Sequence, residues 1–195
     1  MESELGRIPE GWRVGTLGDV ANVTMGQSPN GSSYNENEDG TVFYQGRAEF
    51  GWRFPTRRLF TTEPKRMATK GDVLMSVRAP VGDLNVADED CCIGRGLAAI
   101  QGKFGNTSFA LYTMFNLKSR LDVFNGEGTV FGSINKASLN TISTIIPSKE
   151  ILNKFEDVVK PLDNMILNNY KENCSLQVVR DSLLPKLMSG EIDVS

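Results

Sequence analysis

The chain has 195 residues, 39% hydrophobic and 23% charged, with ten Phe and two Trp. It is long enough for one ordinary core plus an appendage, too short for two full-sized domains, and too apolar for global disorder. The absence of histidine excludes His-dependent triads, HExxH sites and Cys/His zinc sites, and 21 basic against 24 acidic residues, net −3, argues against a protein held to nucleic acid by bulk charge alone.

The start of the chain has neither the basic patch nor the apolar stretch of a signal peptide. No window approaches the run of about 18 apolar residues that spans a bilayer, so no membrane association and a soluble, cytoplasmic protein are expected. From there to residue 146 the sequence reads as short elements punctuated by glycine. An apolar pattern from Val14 to Val23 leads to Gly26 and a turn-rich loop, Gln27 to Ser33. Val42 to Gln45, Val73 to Val77, Leu84 to Val86 and Leu97 to Ile100 are β-branched or aromatic runs bounded by Gly, Asp or Pro, the pattern of short strands. Phe109 to Phe124 is spaced as a helix, and the mixture predicts an α+β globule. Three cysteines, Cys91, Cys92 and Cys174, are odd in number and share no repeated spacing, which speaks against a disulfide scaffold.

Charge is unevenly placed along this region. Between Arg47 and Arg78 there are eight basic residues and three acidic ones, and aromatics are interleaved in Phe43-Tyr44 and Phe50-Gly51-Trp52-Arg53-Phe54. That composition suits base stacking and phosphate contact, and equally suits a half-buried sheet edge with solvated arginines.

The character changes at Pro147. From Ser148, a plausible N-cap, no glycine occurs until Gly190, placed where a C′ glycine ends a helix. Leu162, Ile166, Asn169, Asn173, Leu176, Arg180, Leu183 and Leu187 follow a 4-3 spacing, the seam of a coiled coil. A helix of roughly 60 Å cannot bury that stripe on one small globule, so a second helix is required. Pro161 and Pro185 lie inside the run and predict a kink or break near each. Asn169 and Asn173 either fix register in the seam or sit exposed on a slightly rotated helix.

Candidate catalytic and metal motifs fail on context. Gly126 to Gly132 resembles a nucleotide loop but lacks the preceding buried strand, the following helix and the P-loop Lys. Asp39 with Glu63-Pro64-Lys65 has nuclease residue types with a proline that suits a strand poorly. Asp88-Glu89-Asp90 lacks the spacing of a calcium loop and reads as a solvated turn. No cofactor loop or amino-acceptor motif of a methyltransferase occurs, so the chain reads as a binding module without metal or catalytic residues.

Three groups of segments together resemble the specificity subunit of type I restriction–modification systems. They are Ile8-Pro9-Glu10-Gly11-Trp12 with Leu17-Gly18-Asp19-Val20 and Gly26-Gln27-Ser28-Pro29; Gly71 to Gly82 with Ile93 to Ile100; and Ile134 to Pro147 leading into the long helix and its ending, Arg180 to Ile192. The resemblance covers nearly the whole chain. It implies a non-catalytic adaptor in which each target recognition domain reads one half of a split DNA sequence, and conserved helices space the domains and dock the modification subunit. Family members usually carry two domain-plus-helix repeats; this sequence has one, which leaves a natural half-subunit or half of a longer chain. S-adenosylmethionine is expected on the adenine methyltransferase partner and none on this chain, with a restriction subunit joining in restriction complexes. Two rivals are a self-sufficient small DNA-modifying enzyme and an oligomerising adaptor without DNA binding.

The resulting expectation is an α+β, β-rich recognition domain over residues 1–147 and a spacer and dimerisation helix over residues 148–195. Residue chemistry and loop placement nominate Gln45, Arg47 and Arg53 as base readers and Arg57, Arg58, Lys65 and Arg66 as backbone contacts. Gln27, Ser28, Thr129, Ser133 and Lys136 lie on polar loops expected to line duplex DNA. Arg78 and Arg95 lie in family-like motifs, where holding a loop competes with touching DNA. The seam's simplest partner is a second copy packed antiparallel about a two-fold axis, and a helix of the modification subunit is the alternative.

Overall fold

The computed structural model describes residues 2–125 and 132–192. The chain divides into two compact units, Met1–Glu156 and Asp157–Ser195.

The first unit is built on two sheets. One is an antiparallel set of four strands, β10 (Leu84–Val86), β9 (Val73–Ser76), β12 (Leu97–Gly102) and β4 (Ala21–Met25), in that spatial order. The other, mixed, holds β5 (Tyr34–Asn35), β7 (Phe60–Thr61), β6 (Thr41–Tyr44), β11 (Cys91–Ile93) and β8 (Met67–Ala68), with β11 parallel to β6. Among the described residues two small antiparallel pairs complete the strands: β1 (Glu2–Ser3) with β2 (Gly6–Arg7), and β3 (Arg13–Thr16) with β13 (Ser143–Ile146).

Side-chain alternation explains how the layers stack. Val73, Met75, Ala98 and Ile100 point to a core shared with Leu17, Met114 and Leu139, whereas Leu74, Leu97 and Ala99 point to a core shared with Val42, Tyr44, Phe60 and Ile93. The four-stranded sheet is thus buried on both faces, helices on one and the second sheet on the other, which is why β9 and β12 read as continuous apolar runs.

The helical face comprises α1 (Leu17–Val20), α2 (Thr107–Asn116), α3 (Lys118–Leu121) and α4 (Lys136–Asn140). The single helix expected over Phe109 to Phe124 is instead α2, α3 and a 3-10 turn, Asp122–Asn125. The interruption falls at Leu117, whose N–H is shared between Thr113 and Met114 carbonyls, and it leaves both Leu117 and Leu121 buried. Likewise Val14 to Val23, read as one apolar pattern, is strand, helical turn and strand. Asp19 closes the turn by accepting from the Thr16 N–H and hydroxyl, and these bonds hold its carboxyl below the ordinary range.

The last helix, α5 (Lys149–Met188), is continuous for 40 residues. Pro161 and Pro185 do not break it: each removes one N–H donor, and both prolines and the residues four positions earlier whose carbonyls lose that donor, Asp157 and Asp181, are exposed. The Ser148 hydroxyl accepts the Ile151 N–H, as an N-cap does. At the other end Gly190 takes φ +74°, with Gly190 N–H bonded to Leu187 and Glu191 N–H to Lys186, a Schellman termination. The first turns of α5 belong to the first unit. Phe155 packs edge-on against Phe109 and Tyr112, and the buried Glu156 carboxylate accepts the Phe109 N–H at 2.7 Å. Beyond it Leu162, Leu176, Leu183 and Leu187 are exposed, Ile166 is half-buried, and Asn169, Asn173 and Arg180 are exposed.

Candidate nucleic-acid interface

Strand ends from both sheets meet along one rim of the first unit. Leaving β4, Gly26 N–H bonds Leu97 and Gln27 N–H bonds Ile93, both at 2.9 Å. In the β11–β12 turn Gly94 N–H bonds Tyr44 and Gly96 N–H bonds Gln45, while Val77 N–H, leaving β9, bonds Gly96. Ser28 Oγ accepts the Arg95 N–H at 3.3 Å, and Arg78 is bridged to Ser133. The approach is close enough to require glycine: a Cβ on Gly26 would lie 2.1 Å from the Gly94 oxygen, and one on Gly94 would lie 2.8 Å from Gln45 Cα.

The rim brings together Gln27, Ser28, Gln45, Arg78, Arg95 and Ser133, from segments scattered over more than a hundred residues. All but half-buried Ser28 are exposed. Lys136, also exposed, opens α4, which Asn135 caps through Ser138 N–H. Among the described residues Arg78, Arg95 and Lys136 make no ion pair. Lys65 and Arg66, on the approach to β8, are exposed and also carry none; the Arg66 carbonyl accepts the Ile93 N–H. Thr129 and most of the Gly126 to Gly132 segment lie outside the described residues.

The remaining predicted cations are occupied. Arg57 clasps Glu89 with both Nε and Nη2 at 2.5 Å. Arg58 bonds the buried Glu49 and lies 3.9 Å from Glu36. The carboxylate hydrogen bond raises both guanidinium pKa values further. Arg47 bonds Asp83, and Arg53 places its guanidinium carbon 6.0 Å from the Tyr112 ring centroid in α2. The acidic triplet is correspondingly not a merely solvated turn: Glu89 holds Arg57, and Asp90 accepts the Lys70 N–H at 2.8 Å.

The interleaved aromatics divide the same way. Phe43, Tyr44 and Phe54 are core residues, Phe50 packs against the second core, and Trp52 alone of that set stands out, 82% exposed. Asp83 and Trp52 were not among the predicted site residues. Trp52 could have been found from its Gly51-Trp52-Arg53 turn setting, whereas Asp83 gives no local signal because its partner lies 36 positions away. Among the described residues no cluster of Cys, Asp and Glu is arranged to hold a metal, and no helix is long and apolar enough to cross a membrane.

Comparisons with known proteins follow the same line as the motifs. The family model described as type I restriction modification DNA specificity domain matches residues 9–177. The protein named as specificity subunit of the MjaX type I restriction enzyme of Methanocaldococcus jannaschii is 37% identical, over 99% of this chain and 46% of its own. The crystal structure of the HsdS subunit from Thermoanaerobacter tengcongensis is 33% identical with a TM-score of 0.68, covering 96% of this chain and 47% of that one. The type I restriction-modification S subunit of M. genitalium, at 16% identity and TM-score 0.68, shares the fold. This chain therefore spans about half the length of the curated relatives it matches. With the family model matched over most of its length and the fold shared along nearly all of it, the chain belongs to the type I restriction–modification DNA specificity family.

Proposed function

We propose that this chain is a non-catalytic DNA-recognition unit of a type I restriction–modification enzyme, acting in the cytoplasm. Its compact unit reads one half of a split duplex sequence, and its long helix docks the adenine methyltransferase subunit, which carries S-adenosylmethionine; a restriction subunit joins that assembly. The observation that carries the reading is the rim itself. Backbone ladders from both sheets converge there, and exposed Gln27, Gln45, Arg78 and Arg95 present base-edge and phosphate chemistry together, supported by nearby Lys136. A salt titration of duplex binding by the assembled complex tests it. Reversing Arg78, Arg95 and Lys136 to glutamate is expected to abolish binding, and unchanged affinity and salt slope would refute the rim as the interface.

For the helix, we infer self-pairing in an antiparallel sense. That arrangement sets Leu162 opposite Leu187, Ile166 opposite Leu183, Asn169 opposite Arg180 and Asn173 opposite Leu176, so three of the four layers match in polarity. A parallel pair would instead stack Arg180 on Arg180 in the seam, with like charges facing. The exposure of Leu162, Leu176, Leu183 and Leu187 supports a partner of this kind. A two-fold pair would read inverted half-sites at a fixed separation. Solution mass tests this directly: a dimer is expected for the chain, a monomer after Leu176→Glu with Leu183→Glu, and a monomer before substitution would refute self-pairing.

A further inference from the structure

Sequence motifs place a conspicuous turn, Arg78-Ala79-Pro80-Val81-Gly82, between β9 and β10, and the structure shows what it builds. Ser76, buried at the end of β9, organises it: Ser76 Oγ donates to the Pro80 carbonyl at 2.6 Å and accepts the Asp83 N–H at 2.9 Å. Ser76 N–H bonds the Asp83 carbonyl, and Gly82, at φ +88°, returns its N–H to the Ser76 carbonyl. Asp83 is thus fixed through its backbone, and its carboxylate takes no part in the turn. That carboxylate is half-buried and projects to two cations from distant segments: Oδ2 accepts Nη1 of Arg47, and Oδ1 lies 3.4 Å from the Lys118 ammonium.

The three clasped arginines differ in what they retain. Arg57 spends Nε and Nη2, a whole edge of its guanidinium fork, on Glu89, and Arg58 directs Nη2 to Glu49 with Nη1 toward Glu36. Arg47 bonds through Nη1 alone, its side chain is 54% exposed, and Nε and Nη2 stay free among the described residues. Two parallel N–H groups on one edge are what a guanine O6/N7 pair accepts. An arginine already fixed by a carboxylate also loses less side-chain freedom on binding than a solvated one. Resting on the DNA reading proposed above, we propose that Asp83 is a specificity-determining positioning residue: it holds the Arg47 guanidinium so that its free Nε/Nη2 edge reads one base pair of the recognised half-site. Lys118 lies between Asp83, at 3.4 Å, and Asp122, at 3.3 Å, so with Arg47 two cations balance two carboxylates and the clasp brings no net negative charge to the DNA.

The test is selection from a library of randomised duplexes by the full chain in complex with a modification subunit. The unsubstituted complex enriches one sequence; if it enriches none, the DNA reading falls and this inference with it. Asp83→Asn keeps both backbone bonds of the turn and removes the charge that fixes Arg47. It is expected to lose about tenfold preference at a single position, with the other positions unchanged. Arg47→Ala flattens that same position, and the double variant flattens it no further. Arg47→Lys carries the test if Asp83→Asn folds poorly, because it keeps the charge pair and loses the planar fork. An Asp83→Asn profile identical to the unsubstituted one overturns the proposal, and so does a uniform affinity loss at every position, the mark of a merely structural role.

Discussion

Replacing Gly26 by alanine asks whether the strand ends at the rim approach as closely as the structure shows. The added methyl carbon would lie 2.1 Å from the Gly94 oxygen, 2.8 Å from its carbonyl carbon and 2.8 Å from the Ile93 oxygen. All three are backbone atoms, so no flexible side chain can give way, and the two strands must separate by about an ångström to restore ordinary contact. Separation strains the bonds from Gly26 to Leu97 and from Gln27 to Ile93, each at 2.9 Å and each contributing about 1 kcal/mol. Steric overpacking adds about 1–3 kcal/mol, for a combined loss of about 3–5 kcal/mol against a typical total of about 5–15 kcal/mol. For a unit of this size the unfolding midpoint falls by about 10 °C. Thermal and urea unfolding measure it, with Gly31→Ala as the control, since nothing lies within 4 Å of a Cβ there. A Gly26→Ala loss within about 0.5 kcal/mol of that control would refute the packed rim.

Two further outcomes follow from the ion pairs and from burial. Alanine at Arg78, Arg95, Lys65 or Arg66 lowers the salt slope of duplex binding by about one for each that meets a phosphate, whereas Arg57→Ala leaves it unchanged because Glu89 already takes its fork; a slope loss for Arg57 and none for the others would reverse this division. Burial pushes the Asp72 carboxyl above its ordinary range, only partly offset by hydrogen bonds from the Thr69 N–H and Gln101, so only between the ordinary and the raised value does the folded state hold a proton that the unfolded chain has released. Stability contributed there falls as pH rises from about 4 through the raised value. Asp72→Asn, which keeps the Thr69 bond, is therefore more stable than the unsubstituted chain at pH 7, with the gap closing toward about pH 4; urea midpoints at both pH values check the sign.

The strands that bury both faces were legible because each is a bounded apolar run: Val73–Ser76, Leu84–Val86 and Leu97–Gly102 fall where the sequence predicts them. Phe60–Thr61 and Met67–Ala68 were not, since two residues cannot display a period and these strands exist only through their pairing. The long helix was legible from its lack of glycine and its 4-3 stripe, while the effect of its prolines was overestimated because they and the residues that lose a donor are exposed. At the candidate interface, the fold brings Gln27, Ser28, Gln45, Arg78, Arg95 and Ser133, nominated from separate segments, to one rim. Whether an arginine there is free depends on Asp83, Glu89 or Glu49, and two of those three partners lie more than thirty residues away. Composition likewise counted Phe43, Tyr44 and Phe54 as stacking candidates, although alternation along the chain turns them into the core and leaves Trp52 outside.

Under the proposed function, this chain chooses where a partner methylates. Mapping methylated adenines across a genome carrying the chain with its modification subunit tests that most directly. One recurring split motif is predicted, absent when the chain is deleted and altered at a defined base pair by Arg47→Ala. Methylation that persists at the same sites without the chain would contradict the account.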